Sequence, residues 1–218
     1  SVLNFDRSTG STSIDLYDYA TFSKIKSIAS SNTMEAVNYF TSYSFSSDEH
    51  KLILETNTES IFRRSVLGNY YVYDIELEQL SLISDNKIQE PTFSPDGTKV
   101  AFALNNNLFI KDLISGETNQ ITFDGEKNKI INGITDWVYE EEFGFHIGIS
   151  WSDNGRYLAY YRFDETEVQE FSMDIYGNEL YPHPYVFKYP KAGEDNSKVE
   201  IWVFDTKSKK HNNASSGI

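Results

Sequence analysis

The sequence predicts an all-β protein, a β-propeller of four-stranded antiparallel blades, from three observations. A strand ending in Asp and a polar turn recurs four times, at Val2-Leu3-Asn4-Phe5-Asp6, Tyr71-Val72-Tyr73-Asp74, Leu108-Phe109-Ile110-Lys111-Asp112 and Ile201-Trp202-Val203-Phe204-Asp205. A second pattern, an aromatic, a Ser and a polar turn, interleaves with it at Phe45-Ser46-Ser47-Asp48, Phe93-Ser94-Pro95-Asp96-Gly97 and Trp151-Ser152-Asp153-Asn154-Gly155. The two hairpin types alternate in strict order, so each cycle makes one meander of a repeated blade. A β-sandwich also has short strands at even spacing; the alternation favours the propeller.

Each element has a local reason. In the first pattern the Asp carboxylate can accept a backbone N–H two residues on, which closes the turn. After the second pattern come alternating apolar strands, Lys51-Leu52-Ile53-Leu54, Lys99-Val100-Ala101-Phe102-Ala103 and Tyr157-Leu158-Ala159-Tyr160. Between Phe93 and Asp112 there is room only for two strands and tight turns. The same interval from Trp151 to Asp205 is longer by about 35 residues, which places an insertion between Arg162 and Lys198. The stretch from Asp112 to Trp151 is likewise twice as long as that from Asp74 to Phe93. Such excursions from a compact repeat are where function tends to sit. At about 40–50 residues per blade the chain makes four or five blades, either the smallest closed ring or a partial ring.

Composition narrows the function. The 218 residues carry 33 acidic and 19 basic side chains, a net charge of −14, which argues against nucleic-acid binding. No run of about 18 apolar residues is present to span a membrane as a helix. The absence of cysteine excludes disulfides, thiolate metal sites and a cysteine nucleophile. The four histidines, 50, 146, 183 and 211, have no metal-ligand spacing, and no calcium loop or phosphate-binding glycine loop occurs; no cofactor or metal is expected. Tyr70, Tyr71, Tyr73, Tyr157, Tyr160 and Tyr161 alternate along strands and read as packing between blades rather than a sugar platform. Tyr181-Pro182-His183-Pro184-Tyr185 reads as an ordered loop leading to a strand, and Asn213-Ala214-Ser215 fits a glycosylation acceptor. The first residues, Ser-Val-Leu-Asn-Phe-Asp, lack the basic-then-apolar pattern of a leader, which is expected to lie outside this chain.

The first excursion contains Asp136-Trp137-Val138-Tyr139-Glu140-Glu141-Glu142. Consecutive carboxylates fit either a solvated acidic turn, or the first turn of a short helix where the dipole favours negative charge. They also fit a pocket that grips an ammonium through charge-assisted hydrogen bonds. His146, close by, reads as a turn or satisfied core residue.

This seven-residue motif resembles the signature in the N-terminal propeller of the dipeptidyl peptidase IV family, within the prolyl oligopeptidase clan. Ile131-Asn132-Gly133-Ile134-Thr135, Phe163-Asp164-Glu165-Thr166-Glu167-Val168 and Tyr189-Pro190-Lys191-Ala192-Gly193 resemble it too, and the likeness is dense from about Phe45 to Asp205. The resemblance implies the N-terminal half of an eight-bladed propeller across 1–218. The rest of the propeller and an α/β-hydrolase domain with a Ser-Asp-His triad are expected elsewhere, since no G-x-S-x-G elbow occurs here. It implies a serine exopeptidase that releases Xaa-Pro or Xaa-Ala dipeptides from free N-termini. Glu141 and Glu142 are then the groups that bind the substrate α-ammonium. Arg63 in Phe62-Arg63-Arg64-Ser65 is the group that binds a substrate carbonyl, with Arg64 as the one-residue alternative.

The family pattern further implies peptide substrates, the hydrolase domain of the same protein and a second copy as partners, the homodimer forming through a propeller arm expected near the end of this chain and through the hydrolase domain. It implies a periplasmic or secreted, bacterial setting, in keeping with the lack of cysteine. Phe143-Gly144-Phe145 departs from the family's common sequence, which affects outer subsites. A non-catalytic interaction propeller related to the same family is the alternative reading.

Overall fold

Residues 1–215 are described in a computed structural model. Among the described residues there are five antiparallel sheets: four follow one another along the chain without closing into a ring, and the fifth is a two-stranded hairpin. The first holds β1 (Val2–Asp6), β2 (Ser11–Tyr17) and β3 (Lys24–Ser30); the second, β4 (Ser42–Phe45), β5 (Lys51–Ser60), β6 (Val66–Asp74) and β7 (Gln79–Leu82). The third holds β8 (Gln89–Phe93), β9 (Lys99–Leu104), β10 (Asn107–Asp112) and β11 (Thr118–Gln120), again in chain order. This is the expected partial propeller of four-stranded meanders.

The fourth sheet is built around both excursions. This stretch of chain runs through β12 (Ile130–Asn132), the helix α1 (Trp137–Glu141), β13 (Ile149–Trp151), β14 (Tyr157–Asp164), β15 (Glu170–Ile175), β16 (His183–Lys188), β17 (Lys198–Asp205) and β18 (Lys210–Asn213), of which β12, β13, β14, β17 and β18 make the sheet. Both β12 and β13 pair with β14: Trp151 lies opposite Leu158, and Ile130 opposite Asp164. The first strand of this blade is therefore split in two, and α1 occupies the break. β15 and β16 form a separate hairpin between β14 and β17, where the chain length called for an insertion. His183, Pro184 and Tyr185 already pair in β16, so the expected loop at 181–185 is shorter than its proline content suggested.

The turns account for the repeats. Ser46, Ser94 and Ser152 each accept the N–H five residues on, at 2.9 Å, and donate to Asp48, Asp96 or Asn154 at 2.6, 2.6 and 2.8 Å. One buried hydroxyl thus satisfies a hairpin that would otherwise leave backbone groups unpaired. Asp6, Asp74, Asp112 and Asp205 accept the N–H two residues on, at 2.8 to 3.1 Å, as the Asx turn requires.

Strands in the middle of the stack are buried on both faces, and their alternation divides neighbouring residues between two cores. Leu52 and Leu54 pack with Ile14, Val37 and Phe40 against the first sheet, while Ile53 packs with Val100 and Phe102 toward the third. Ala101 faces the opposite way, into a core with Leu158, Tyr160 and Phe204. Tyr70, Tyr73 and Tyr160 are buried between sheets, as their alternation indicated. Asn213 donates to Glu200 at 3.0 Å within the last sheet.

Candidate functional site: a latched acidic helix

α1 begins at Asp136, whose carboxylate accepts the Tyr139 N–H at 3.0 Å and a hydrogen bond from Ser197 Oγ at 2.5 Å. A short carboxylate at this position caps the first turn. Tyr139 anchors the helix edge-on to Phe143, Phe145 and Phe163, at 5.0, 5.4 and 4.8 Å between centroids. Gly144, at φ +77°, ends the turn with its N–H bonded to the Glu140 carbonyl.

At about 100° per residue, consecutive helical side chains diverge, and the three glutamates take three roles. Glu140 is only 1% exposed and points into the protein. It accepts the backbone N–H of Arg64 at 2.5 Å and of Ser65 at 2.9 Å, across 76 and 75 residues of chain. Glu141 accepts the Arg63 backbone N–H at 3.1 Å and pairs with Arg63 Nε at 2.8 Å. Glu142 caps the helix C-terminus through its backbone and is exposed, its carboxylate bonding none of the described residues.

The structure thus brings Arg63 and Glu141 together, with Glu142 on the adjoining helical position. Arg64 contributes its backbone to the Glu140 latch, and its side chain makes no ion pair among the described residues. The Arg63 turn joins β5 to β6 and closes through the Ile61 N–H and the Ser65 carbonyl at 3.0 Å. With Nε committed to Glu141, the terminal nitrogens of Arg63 bond none of the described residues. One arginine offsets one of the two outer carboxylates, which leaves a net negative charge suited to an ammonium, and a guanidinium edge suited to a carbonyl oxygen.

Behind this site lies a buried polar group. His146 pairs with Glu90 at 2.7 Å, as the satisfied histidine expected from sequence. Burial pushes the Glu90 carboxyl up, His146 opposes the shift, and Glu55 and Glu140 reinforce it. Glu55 accepts Tyr70 Oη at 2.9 Å and Thr41 Oγ1 at 2.8 Å. On the other side, the β15–β16 hairpin supplies Phe187, 6.3 Å from Phe62 and 6.2 Å from Trp137. Tyr189 stacks edge-on to Trp137 at 4.6 Å. The Arg63 turn and α1 are therefore wedged against one aromatic cluster.

Sequence reasoning missed the Glu140 latch, the Asp136–Ser197 bond and Glu90. Asp136 had a local signal, an Asp directly before an apolar helical turn. Glu140 and Glu90 had none, because their partners lie far away in sequence.

An unclosed run of antiparallel blades, one of them split around a short acidic helix, defines a partial β-propeller of the peptidase-propeller class. The chain belongs to the family described as dipeptidyl peptidase IV (DPP IV) N-terminal region, whose model matches residues 46–217. It is 38% identical over 184 residues to the prolyl endopeptidase FAP of Homo sapiens, and 37% identical over 185 residues to dipeptidyl peptidase 4 of Sus scrofa. Those alignments cover 82% and 81% of this chain, and 24% of each relative. Among solved structures, Porphyromonas gingivalis dipeptidyl peptidase 4 superposes with a TM-score of 0.87 at 35% identity, over 99% of this chain and 32% of that one. The chain thus spans about a quarter of the length of these curated relatives.

Proposed function

We propose that the whole protein is a serine dipeptidyl peptidase, with this chain as the substrate-recognition part of its propeller. Residues 1–218 are then the N-terminal portion of that propeller, and the hydrolase domain with its triad lies in the remainder of the protein. The observation that carries this reading is the Arg63–Glu141 pair, held on two sides of the chain by the Glu140 latch, with Glu142 free beside it.

In this reading Glu141 and Glu142 receive the α-ammonium of a peptide, and the unoccupied nitrogens of Arg63 receive a carbonyl oxygen of its first residues. A peptide amine, with a pKa of about 7.7–8.0, is largely protonated at neutral pH. Losing a charge-assisted contact of this kind costs about 2–5 kcal/mol, enough to exclude N-blocked peptides. Holding the terminus also fixes its distance from the reacting centre, so two residues leave together. The carboxylates transfer no proton; they measure and select. Release of Xaa-Pro and Xaa-Ala dipeptides follows from the family resemblance.

The same reading carries a periplasmic or secreted location and a homodimer. Support for self-association comes from the β15–β16 hairpin, a separate two-stranded sheet that exposes Met173, Ile175, Tyr176, Leu180 and Tyr181.

The test uses the full-length protein and a chromogenic Xaa-Pro substrate with a free amine, beside its N-acetylated twin. Fast cleavage of the free form alone, lost in Glu141→Gln/Glu142→Gln, is the expected result. Equal cleavage of both forms would reduce the acidic helix to a structural element. No cleavage of either by the folded protein would favour a non-catalytic interaction propeller.

A further inference from the structure

Beside the Arg63 turn lies a cleft of about 600 Å³, lined among others by Phe62, Ser65, Ile134, Trp137, Glu165 and Phe187. Its volume falls within the range of about 300–1,000 Å³ typical of small-molecule sites; more than half of its lining residues are polar, but the surface they and their neighbours expose to it is mainly apolar. Two polar groups in it are unexplained by the fold. Ser65 is 6% exposed, and its Oγ is buried without a hydrogen-bond partner. Glu165 is also 6% exposed, and its carboxylate accepts no hydrogen bond from any described residue.

Buried polar groups are nearly always paired, and a lone buried carboxylate is among the costliest exceptions. The neighbouring charges do not resolve it. Asp136 already accepts from Ser197 and Tyr139. Lys188 lines the cleft, but its ammonium is held by the carbonyls of Val168 and Thr166, at 2.7 and 3.3 Å. Glu126 and Lys127 stand exposed among the lining residues.

We propose that this cleft binds a small organic ammonium with an apolar body, its charged head on Glu165 and its body between Trp137, Phe62 and Phe187. An ammonium matches the uncompensated carboxylate and is attracted by aromatic faces. A hard divalent ion suits the cleft less well, since it demands several oxygen ligands and Glu165 is the one carboxylate there with both oxygens free. Burial pushes the Glu165 carboxyl up to about 7, with Asp136 and Asp164 adding to the effect and Lys188 opposing it. An ammonium therefore displaces a proton, and its affinity rises as the pH passes upward through 7.

The site does not depend on the exopeptidase reading. The experiment uses the full-length protein carrying Glu141→Gln/Glu142→Gln, so that amine capture by the outer glutamates does not contribute. Phenethylammonium is titrated by calorimetry and by tryptophan fluorescence, beside 2-phenylethanol and N-acetylphenethylamine. The expected result is saturable binding of the amine, at least tenfold tighter than either neutral analogue. Glu165→Gln should weaken it at least tenfold, and affinity should increase between pH 6 and 8. Equal affinity for the neutral analogues, indifference to Glu165→Gln, or no binding to the folded protein would each overturn the proposal. The neutral analogues and the pH series decide the matter even if Glu165→Gln fails to fold.

Discussion

Arg63 and Glu141 meet twice, through the guanidinium Nε at 2.8 Å and the backbone N–H at 3.1 Å, although 78 residues separate them. The second contact would survive replacement of the arginine side chain. The pair therefore separates a positioning contact, carried by the backbone, from a side-chain contact, to which the proposed function assigns binding.

This separation predicts the behaviour of Arg63→Ala. The Arg63 side chain is 70% exposed, and ion pairs so solvated contribute at most about 1 kcal/mol to stability. The variant should melt within a few degrees of the wild type, while KM for a free-amine dipeptide substrate rises tenfold or more. Thermal melts and steady-state kinetics on the same preparation check both halves; a melt depressed as far as the activity would make Arg63 structural.

Glu140→Ala should behave in the opposite way. It leaves the N–H groups of Arg64 and Ser65 unpaired in the interior, at a cost of about 2–5 kcal/mol. Chemical denaturation should show that loss, and activity should fall with it because the Arg63 turn is released. Glu140→Gln keeps one acceptor oxygen and should lose less.

Gly133→Ala tests the split strand. Gly133 sits at φ +78°, and a Cβ there would lie 2.2 Å from Leu108 Cδ2 and 2.9 Å from Ile149 Cγ2. Left-handed strain and overpacking together predict a destabilisation of about 2–4 kcal/mol. An unchanged denaturation midpoint would show that the junction between β12 and α1 yields easily.

Glu165 gives stability a pH dependence of definite sign. Its folded-state carboxyl, raised from 4.5 to about 7, holds a proton that the unfolded chain releases. Stability from this group is complete below pH 4.5 and declines as the pH rises to 7, by on the order of 3 kcal/mol. Denaturation midpoints from pH 4.5 to 8 should show this decline in the wild type, and Glu165→Gln should flatten it.

The blades were legible in the sequence because their turns are local. Ser46, Ser94 and Asp112 find partners within five residues, so each repeat carries its own explanation. The excursions were legible as lengths, but their structures were not. β12, β13 and the β15–β16 hairpin owe their form to β14, the Arg63 turn and Trp137, which no short window contains. Within the site, adjacent Glu140, Glu141 and Glu142 are chemically identical, and only the helical turn of Asp136–Glu142 distinguishes the buried one from the outer two. Arg63 and Arg64 were ambiguous for the same reason until the position of Glu141 separated them.

The Glu140 latch also bears on the order in which the molecule comes together. Its two hydrogen bonds close a loop of about 75 residues that contains the whole third sheet. Closing so long a segment is entropically unfavourable until the intervening hairpins have collapsed, so the latch belongs among the last contacts to form. Each sheet can assemble from its own turns, whereas the acidic helix acquires its geometry only after three sheets have docked. The latched helix is in that sense a reporter of completed assembly: a chain with a misregistered blade presents the same glutamates without the contacts that join Glu141 to Arg63.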